Sequence, residues 1–305
     1  MISKRFLIAD VFTDVRFGGN QLAVFLDGSG LDSKTMQDIA REMNYSETTF
    51  LLPPEGDADY RIRIFTPAHE LPFAGHPIVG SAYVIVSEKM KELGNPSTTV
   101  TLEAGVGPIR IEVKTEGGQL GRSTMTQPLP VVRGTYSNID AVASALSLET
   151  SLIRQTDLPV QTIFNGIAAL IVPVVSLSAI QNIKIDSNAL TEISNEVGAS
   201  TVLVFTRETL FPTNTVHCRV FAPAAGVSED AATGSANGCF GFYLVHHKVV
   251  QPAPTTRIIS EQGYEMKRPS QLYIDVDVNM EKDQITEVQV GGSVVIAGQG
   301  EIFVG

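Results

Sequence analysis

The sequence predicts an α+β protein made of two similar domains, each a curled β-sheet wrapped around one central helix. Three observations predict this fold. A stretch with a strand, a loop and a small-residue helix occurs twice, short apolar strands surround each copy, and both helices are apolar along their length. A helix that is apolar on all sides must be buried, here by the sheet of its own half. At 305 residues the chain is long enough for two such domains.

The first copy of this stretch runs from Arg63 to Val84. Its strand alternates apolar and charged residues, and Pro67 ends it. A polar loop follows, and a proline then leads into an apolar helix predicted from about Ile78 to Val86. The first N–H groups of a helix have no intrahelical acceptor, so Gly75 and His76 lie where an anion can bind.

The second copy runs from Cys218 to Val245, and four of its residues match residues of the first copy, each at a spacing of 156 (219 − 63). Two further matches flank it in the same order, at spacings of 154 and 158. Three ordered matches with slowly drifting spacing predict a duplicated domain. The matching residues are Arg63, Phe65, Pro67 and Ala68 with Arg219, Phe221, Pro223 and Ala224; Asp32-Ser33 with Asp186-Ser187; and Glu103-x-Gly105 with Glu261-x-Gly263.

The duplication also predicts where the domains divide. We expect residues 1–117 to form the N-terminal domain and residues 118–289 the C-terminal domain. The pair Gly117-Gly118 is a plausible flexible junction between them. A last strand, at about 290–305, is expected to return to the first domain, because Gly121–Pro128 occupies the equivalent place and would open the second.

Composition narrows the function classes. A net charge of −11 argues against nucleic acid or anionic membranes as partners, although donors at a helix start can still bind a small anion. The two cysteines do not suggest a disulfide framework, the N-terminus lacks the apolar run of a signal peptide, and no apolar stretch is long enough to span a bilayer. We therefore expect a cytoplasmic protein that binds a small molecule.

Three residues are candidates for chemistry, although each alone has an ordinary structural explanation. His76 stands at a helix start, Asp230 is placed like a turn or cap carboxylate, and Glu47 precedes an apolar strand. The duplication aligns the loops of His76 and Asp230, so a pseudo-twofold would bring both helix starts to one cleft that holds a carboxylate. Glu47 aligns with Thr201, so the second half has no equivalent acid. This favours a mechanism in which one residue transfers the proton over one that uses two bases.

The remaining reactive side chains give weaker signals. Cys218 falls within a strand and Cys239 within the apolar helix, so both are predicted to lie in the core. His69 and His217 are isolated in the sequence. We expect no metal site, because no further ligands stand at a suitable spacing from the His246-His247 pair, and no nucleotide loop, because the glycine pairs lack a strand–helix context.

Seven short motifs are spread along the whole chain. They are D-V-F-T at 10–13, G-G-N at 18–20, S-E-T-T-F at 46–50, E-L-P-F-A-G-H-P at 70–77, R-V-F-A-P at 219–223, E-D-A-A-T-G-S-A at 229–236 and V-G-G-S-V-V at 290–295. In these motifs the chain resembles the PhzF-like phenazine-biosynthesis proteins, which share the diaminopimelate-epimerase fold, and the G-H-P and E-D-x-A-T-G-S pair is specific. The family usually has Pro at the position of Ala231 and often at that of Gln21, and neither change removes a reactive group.

The resemblance implies roles for individual residues. Glu47 corresponds to the family's acid–base glutamate, and His76 and Asp230 correspond to its substrate-orienting pair. True epimerases of this fold carry a cysteine before each central helix, where this chain has Ala74 and Thr233. Two-thiol racemisation is therefore not expected. The candidate substrate-binding residues are Gly75, Thr233, Gly234, Ser235 and Asn20.

We therefore expect a cofactor-independent isomerase, homodimeric by family resemblance, that shifts a proton and a double bond on a small carboxylated substrate. The resemblance suggests an amino-bearing cyclic diene such as dihydro-hydroxyanthranilate. Two alternatives stay open: an epimerase or racemase of a small amino or hydroxy acid, and a non-catalytic protein that binds a small molecule in the same cleft. A binding protein has no need of the unmatched acid Glu47.

Overall fold

The computed structural model describes residues 2–305 as eighteen β-strands and seven α-helices, with one 3₁₀ turn at Pro223–Ala225. The strands are β1 (Ile2–Val11), β2 (Asn20–Phe25), β3 (Glu47–Leu52), β4 (Tyr60–Phe65), β5 (Glu70–Leu71), β6 (Ser97–Ala104), β7 (Gly107–Glu116), β8 (Gln119–Gln127), β9 (Val131–Thr135), β10 (Gln161–Phe164), β11 (Ala168–Pro173), β12 (Thr201–Thr206), β13 (Val216–Ala222), β14 (Val227–Asp230), β15 (Thr255–Gln262), β16 (Ser270–Asn279), β17 (Gln284–Gly292) and β18 (Val294–Val304). The helices are α1 (Ser33–Met43), α2 (Gly75–Ser87), α3 (Ile139–Ala145), α4 (Ser151–Arg154), α5 (Leu177–Gln181), α6 (Ser187–Val197) and α7 (Gly234–His246).

The chain forms two compact units. The first contains the residues up to Met125 together with Gly291–Gly305. In it, β1 pairs antiparallel with both β2 and β18, β2 runs parallel to β3, and β4 runs parallel to β6. Helix α2 contacts β1, β2, β3, β6 and β7, and eleven of its thirteen residues are buried. The predicted apolar central helix of this half is confirmed.

The second unit contains Thr126–Val290. Its strands β11 and β12 are parallel, β12 and β13 are antiparallel, and β13 is parallel to β15. Helix α7 contacts β10, β11, β12, β15 and β16, and ten of its thirteen residues are buried. The order of parallel and antiparallel pairs is that of the first unit, so each half is a curled sheet around one apolar helix, as the sequence predicts.

The duplication is also visible in side-chain contacts. In the first unit Arg63 donates from Nε and Nη2 to the two carboxylate oxygens of Glu70, at 2.7 and 2.6 Å. In the second unit Arg219 makes the same two bonds with Glu229, at 2.8 and 2.7 Å. Each pair joins a long strand to the short strand that leads toward the central helix. A bidentate pair fixes both the distance and the relative orientation of its two side chains. The same kind of pair therefore holds the short strand that precedes each central helix.

Two further features repeat in register. Asp32 caps α1 and Asp186 caps α6, each by accepting a hydrogen bond from a first-turn backbone N–H. Arg61 pairs with Glu103 across β4 and β6, and the equivalent partners across β13 and β15 are His217 and Glu261. The sequence suggested that His217 is isolated, and this is wrong. His217 has Glu261 as its strand partner and stands where the first unit has an arginine.

Two local expectations differ from the structure. Helix α2 begins at Gly75, three residues before the expected start, because a proline is tolerated anywhere in the first turn, where N–H groups have no intrahelical acceptor. Gly117 and Gly118, with φ values of +60° and +80°, form the two-residue turn between β7 and β8. The two units meet in sequence later, between Met125 and Thr126. No helix within residues 2–305 is long and apolar enough to cross a bilayer.

Candidate active site

Glu47 is the first residue of β3, where it pairs with Leu22 of the parallel strand β2. Its side chain is only 15% exposed. The four residues after it are buried, so the strand holds the carboxyl at the edge of a packed core. A glutamate at this position is shielded from water yet sits at the end of a rigid element, which suits a group that must exchange a proton with a bound molecule.

His76 lies 3.2 Å from Glu47, measured from Nε2 to Oε2. Burial lowers the pKa of His76 to about 3, and a hydrogen bond to the backbone of Gln21 offsets this effect only in part. The imidazole is therefore neutral at pH 7. A neutral ring beside the carboxyl leaves its charge free to change, whereas a cation would hold it ionised.

The start of α2 provides donors beside this pair. Its N-cap residue, Ala74, has extended backbone and no side-chain group that accepts a hydrogen bond. The first-turn N–H groups at Gly75 and His76 consequently have neither an intrahelical acceptor nor a cap. Together with the helix dipole they favour an anion at this end of the helix.

In the second unit, Asp230 ends β14 and stands three residues before the N-cap of α7. The Thr233 hydroxyl donates a hydrogen bond of 2.5 Å to Asp230 Oδ2. Thr233 is itself the N-cap residue, a place where threonine usually accepts from a backbone N–H two or three residues on. Here the hydroxyl does not make that bond, because it is turned toward Asp230.

The start of α7 is thus left without a side-chain cap, as is that of α2. By contrast, the helices α1, α3, α5 and α6 all have a side-chain cap, from Asp32, Asn138, Ser176 and Asp186. Among the described α-helices of five or more residues, only the two central ones lack a side-chain cap. Gly234 and Ser235, the first two residues of α7, supply its free donors.

Buried amides that sequence analysis missed hold the first turn of α7. Gln127 donates from Nε2 to the Gly234 carbonyl at 3.0 Å. Asn165 donates from Nδ2 to the Ser235 carbonyl at 2.9 Å and to Gln127 Oε1 at 2.7 Å. Both amide side chains are buried. Gln127 is the last residue of β8 and Asn165 directly follows β10, and many surface residues occupy such positions, so nothing in the sequence marked these two amides.

The other predicted residues fall in supporting places. Asn20 is buried at the start of β2, next to Gln21, whose backbone bonds to His76. Cys218 and Cys239 are fully buried, as predicted, and burial raises the pKa of each thiol to about 12. Within residues 2–305 no group of three or more His, Cys, Asp or Glu side chains is arranged to hold a metal ion.

The sequence as a whole matches known proteins. The family model for phenazine biosynthesis-like proteins, PhzC-PhzF, matches residues 9–300. An uncharacterized isomerase of Mesorhizobium japonicum is 36% identical over the full length of both chains. The trans-2,3-dihydro-3-hydroxyanthranilate isomerase of Pseudomonas aeruginosa is 33% identical, over 97% of this chain and 98% of the relative.

Solved structures agree. The Bacillus anthracis phenazine biosynthesis protein of the PhzF family superposes with a TM-score of 0.90 at 27% identity, over 100% of both chains. A hydroxyproline epimerase from Agrobacterium vitis shares the fold, with a TM-score of 0.66 at 13% identity over 98% of this chain and 91% of the other. The relatives thus identify an isomerase, and its fold is one that the hydroxyproline epimerase shares. The chain belongs to the phenazine biosynthesis-like, PhzF family.

Proposed function

We propose that this protein shifts a proton, and with it a C=C double bond, on a small carboxylated ring compound. The observation that supports this most is the contact of the shielded Glu47 carboxyl with a neutral histidine, His76, beside the uncapped start of α2. An acid, an orienting base and an anion site within one unit are the parts that such a reaction needs.

In the proposed step, the ionised Glu47 takes a proton from a saturated ring carbon next to the diene. The electrons of the broken C–H bond form the displaced double bond. Glu47, now a carboxylic acid, returns the proton to another carbon of the same ring, where a new C–H bond forms. Substrate and product have the same composition, so nothing is oxidised or reduced. A neutral His76 lets Glu47 alternate between its two forms.

We further propose that Asp230 and the uncapped start of α7 also bind substrate. The free N–H groups at Gly75 and at Gly234–Ser235 are the candidate donors to a substrate carboxylate. Asp230, fixed by Thr233, would accept a hydrogen bond from an amino or hydroxyl group of the ring. A ring bearing carboxylate, amine and hydroxyl is the class that the name of the Pseudomonas aeruginosa relative describes, which makes trans-2,3-dihydro-3-hydroxyanthranilate the first compound to test.

The test measures turnover of that compound in D₂O, with NMR detection of deuterium at the ring carbons. Glu47→Gln keeps shape and hydrogen-bonding reach but cannot shuttle a proton, so turnover should fall by roughly 100-fold or more while binding of 3-hydroxyanthranilate, an aromatic analogue, persists. Glu42→Gln, at an exposed glutamate of α1, is the matched control and should be neutral. Near-normal turnover in Glu47→Gln would rule out the mechanism.

His76→Ala and Asp230→Asn should act differently, because their proposed role is orientation. Both should weaken binding of 3-hydroxyanthranilate as well as lower turnover. If Asp230→Asn leaves affinity and turnover unchanged, Asp230 takes no part in substrate binding and its proposed role is wrong.

The alternatives make different predictions. An epimerase that used residual thiols would need an accessible thiolate, yet both cysteines are buried with pKa values raised to about 12. A protein that only binds would hold the analogue with wild-type affinity, show no deuterium exchange, and be indifferent to Glu47→Gln. Deuterium incorporation by the wild type therefore separates an enzyme from a binding protein.

A further inference from the structure

Gln262, the last residue of β15, has a fully buried side chain that hydrogen-bonds the segment leading into α7. Its Oε1 accepts from the Thr233 backbone N–H at 3.1 Å and from Asn237 Nδ2 at 2.9 Å. Its Nε2 donates to the Asp230 carbonyl at 2.8 Å and to Thr233 Oγ1 at 3.1 Å. All four of these bonds go to a segment of eight residues that contains the candidate aspartate.

The surroundings fix which way round the amide lies. If Oε1 and Nε2 exchanged places, an oxygen would face the Asp230 carbonyl, and an NH₂ group would face the donors of Thr233 and Asn237. With Nε2 donating to the Thr233 hydroxyl, the single proton of that hydroxyl is free to go to Asp230 Oδ2, at 2.5 Å. The bonds therefore run in one direction, from Gln262 through Thr233 to the Asp230 carboxylate.

The duplicated half serves as an internal control for this network. Glu261-x-Gly263 matches Glu103-x-Gly105, so the counterpart of Gln262 is Ala104. The N-cap of α2 is Ala74, which also has no hydrogen-bonding side chain. The first unit builds the same strand and helix without any of these bonds. The fold alone does not require the amide, and its presence in one half points to the site.

We propose that Gln262 is a positioning residue that fixes the Asp230 carboxylate and the uncapped first turn of α7 for the substrate. Its amide satisfies the Thr233 N–H and directs the Thr233 hydroxyl away from the capping position. The Gly234 and Ser235 donors then stay available for a carboxylate. This inference rests on the proposed function of Asp230 and of the α7 start.

The test compares Gln262→Met with Gln161→Met in the full chain. Methionine keeps the volume of glutamine and removes its hydrogen bonds. Gln161 is also buried in the second unit, but it bonds to His247, at 2.8 Å, near the other end of α7. Amide hydrogen exchange of residues 230–237 should become at least tenfold faster in Gln262→Met and stay within twofold of wild type in Gln161→Met.

Kinetics give the second measurement, with trans-2,3-dihydro-3-hydroxyanthranilate as substrate. Gln262→Met should raise KM at least tenfold with a smaller loss in kcat, and Gln161→Met should leave both within twofold. Thr233→Val, which removes the hydroxyl that the amide directs toward Asp230, should resemble Gln262→Met in both measurements. If Gln262→Met does not fold, Gln262→Asn, an amide too short to reach, replaces it.

Two outcomes overturn the inference. Unchanged exchange at 230–237 in Gln262→Met would show that the amide does not hold this segment. Equal changes in exchange and KM for Gln262→Met and Gln161→Met would show a general loss of packing. A wild type that neither turns over that substrate nor binds 3-hydroxyanthranilate would instead contradict the proposed function, and the exchange comparison would then decide the role of Gln262 by itself.

Discussion

His217 offers a prediction that depends on fold stability alone. It is fully buried on β13, with Nδ1 2.8 Å from Glu261 and Nε2 3.0 Å from Glu265. Burial by itself disfavours the charged ring, but the hydrogen bonds to the two carboxylates outweigh it and raise the pKa of His217 to about 9. Below that pH the second unit contains a buried cation where the first unit has Arg61.

The pKa of His217 fixes the sign and the size of a pH effect. The folded state binds the proton more tightly than the unfolded state, whose histidine has a pKa near 6.5. The stabilisation is therefore complete below pH 6.5 and is lost as the pH rises through 9. Its full size is roughly 3 kcal/mol, of which about 2 kcal/mol should disappear between pH 6 and 8.5.

The assay is urea unfolding followed by circular dichroism at several pH values from 6 to 8.5. The free energy of unfolding of the wild type should fall over this range by about 2 kcal/mol more than that of His217→Gln. Comparing the two proteins cancels the titration of the two cysteines in the unfolded chain, where a thiol has a pKa of about 8.5. His69→Gln, at an exposed histidine, is the control and should follow the wild type. Parallel curves for wild type and His217→Gln would refute the reasoning.

Two further predictions concern the core. Replacing both cysteines, Cys218→Ser with Cys239→Ala, should lower the melting temperature, because both side chains are buried. Turnover per folded molecule should persist. Loss of that turnover, reproduced by alkylating the native protein, would instead indicate thiol chemistry. Gly238→Ala should destabilise the protein by about 1–3 kcal/mol in thermal unfolding, because a Cβ there would overlap the side-chain oxygen of Gln127. The control Gly134→Ala should be neutral, because a Cβ there meets open space. Equal losses of stability in the two variants would contradict the prediction.

The architecture could be predicted from the sequence because its signals are local. Strand alternation, prolines at element ends and two apolar helices each depend on neighbouring residues, and the duplication made every signal appear twice. The start of α2 was placed too late because a proline marks the first turn of a helix without specifying which residue of that turn it occupies.

The contact between Glu47 and His76 could not be predicted from spacing. The two residues are brought together by β2, which pairs with Glu47 through Leu22 and bonds to His76 through the backbone of Gln21. Only the paired strands place these three segments side by side. The sequence identified the residues by motif, and the structure supplies the distance.

Buried polar side chains were the part that sequence patterns missed. Gln262 follows Glu261 in a strand, and two successive polar residues there suggest an exposed strand end. Both are completely buried, because each bonds to groups from a segment distant in the sequence. Glu261 accepts from the Leu210 and Phe211 N–H groups, and Gln262 bonds to Asp230 and Asn237. His217 was considered isolated for the same reason, since its partner Glu265 lies 48 positions away. Hydrogen-bond satisfaction is a property of three-dimensional packing, which a single sequence does not specify.

Comparison of the two halves separates structural features from chemical ones. Each half has one bidentate arginine–glutamate pair, Arg63–Glu70 in the first and Arg219–Glu229 in the second, and one buried central helix. Features present in both halves serve the fold.

The features without a twin are different in kind. Glu47 corresponds to Thr201, Gln262 to Ala104, and the second residue of α2, His76, to the second residue of α7, Ser235. A duplicated fold that catalysed by symmetric thiols would retain equal groups in both halves. Here the acid and the neutral histidine lie in one half, and the buried amide network lies in the other. This asymmetry supports the proposal of a single proton-transferring acid, Glu47, over paired acid–base groups in the two halves.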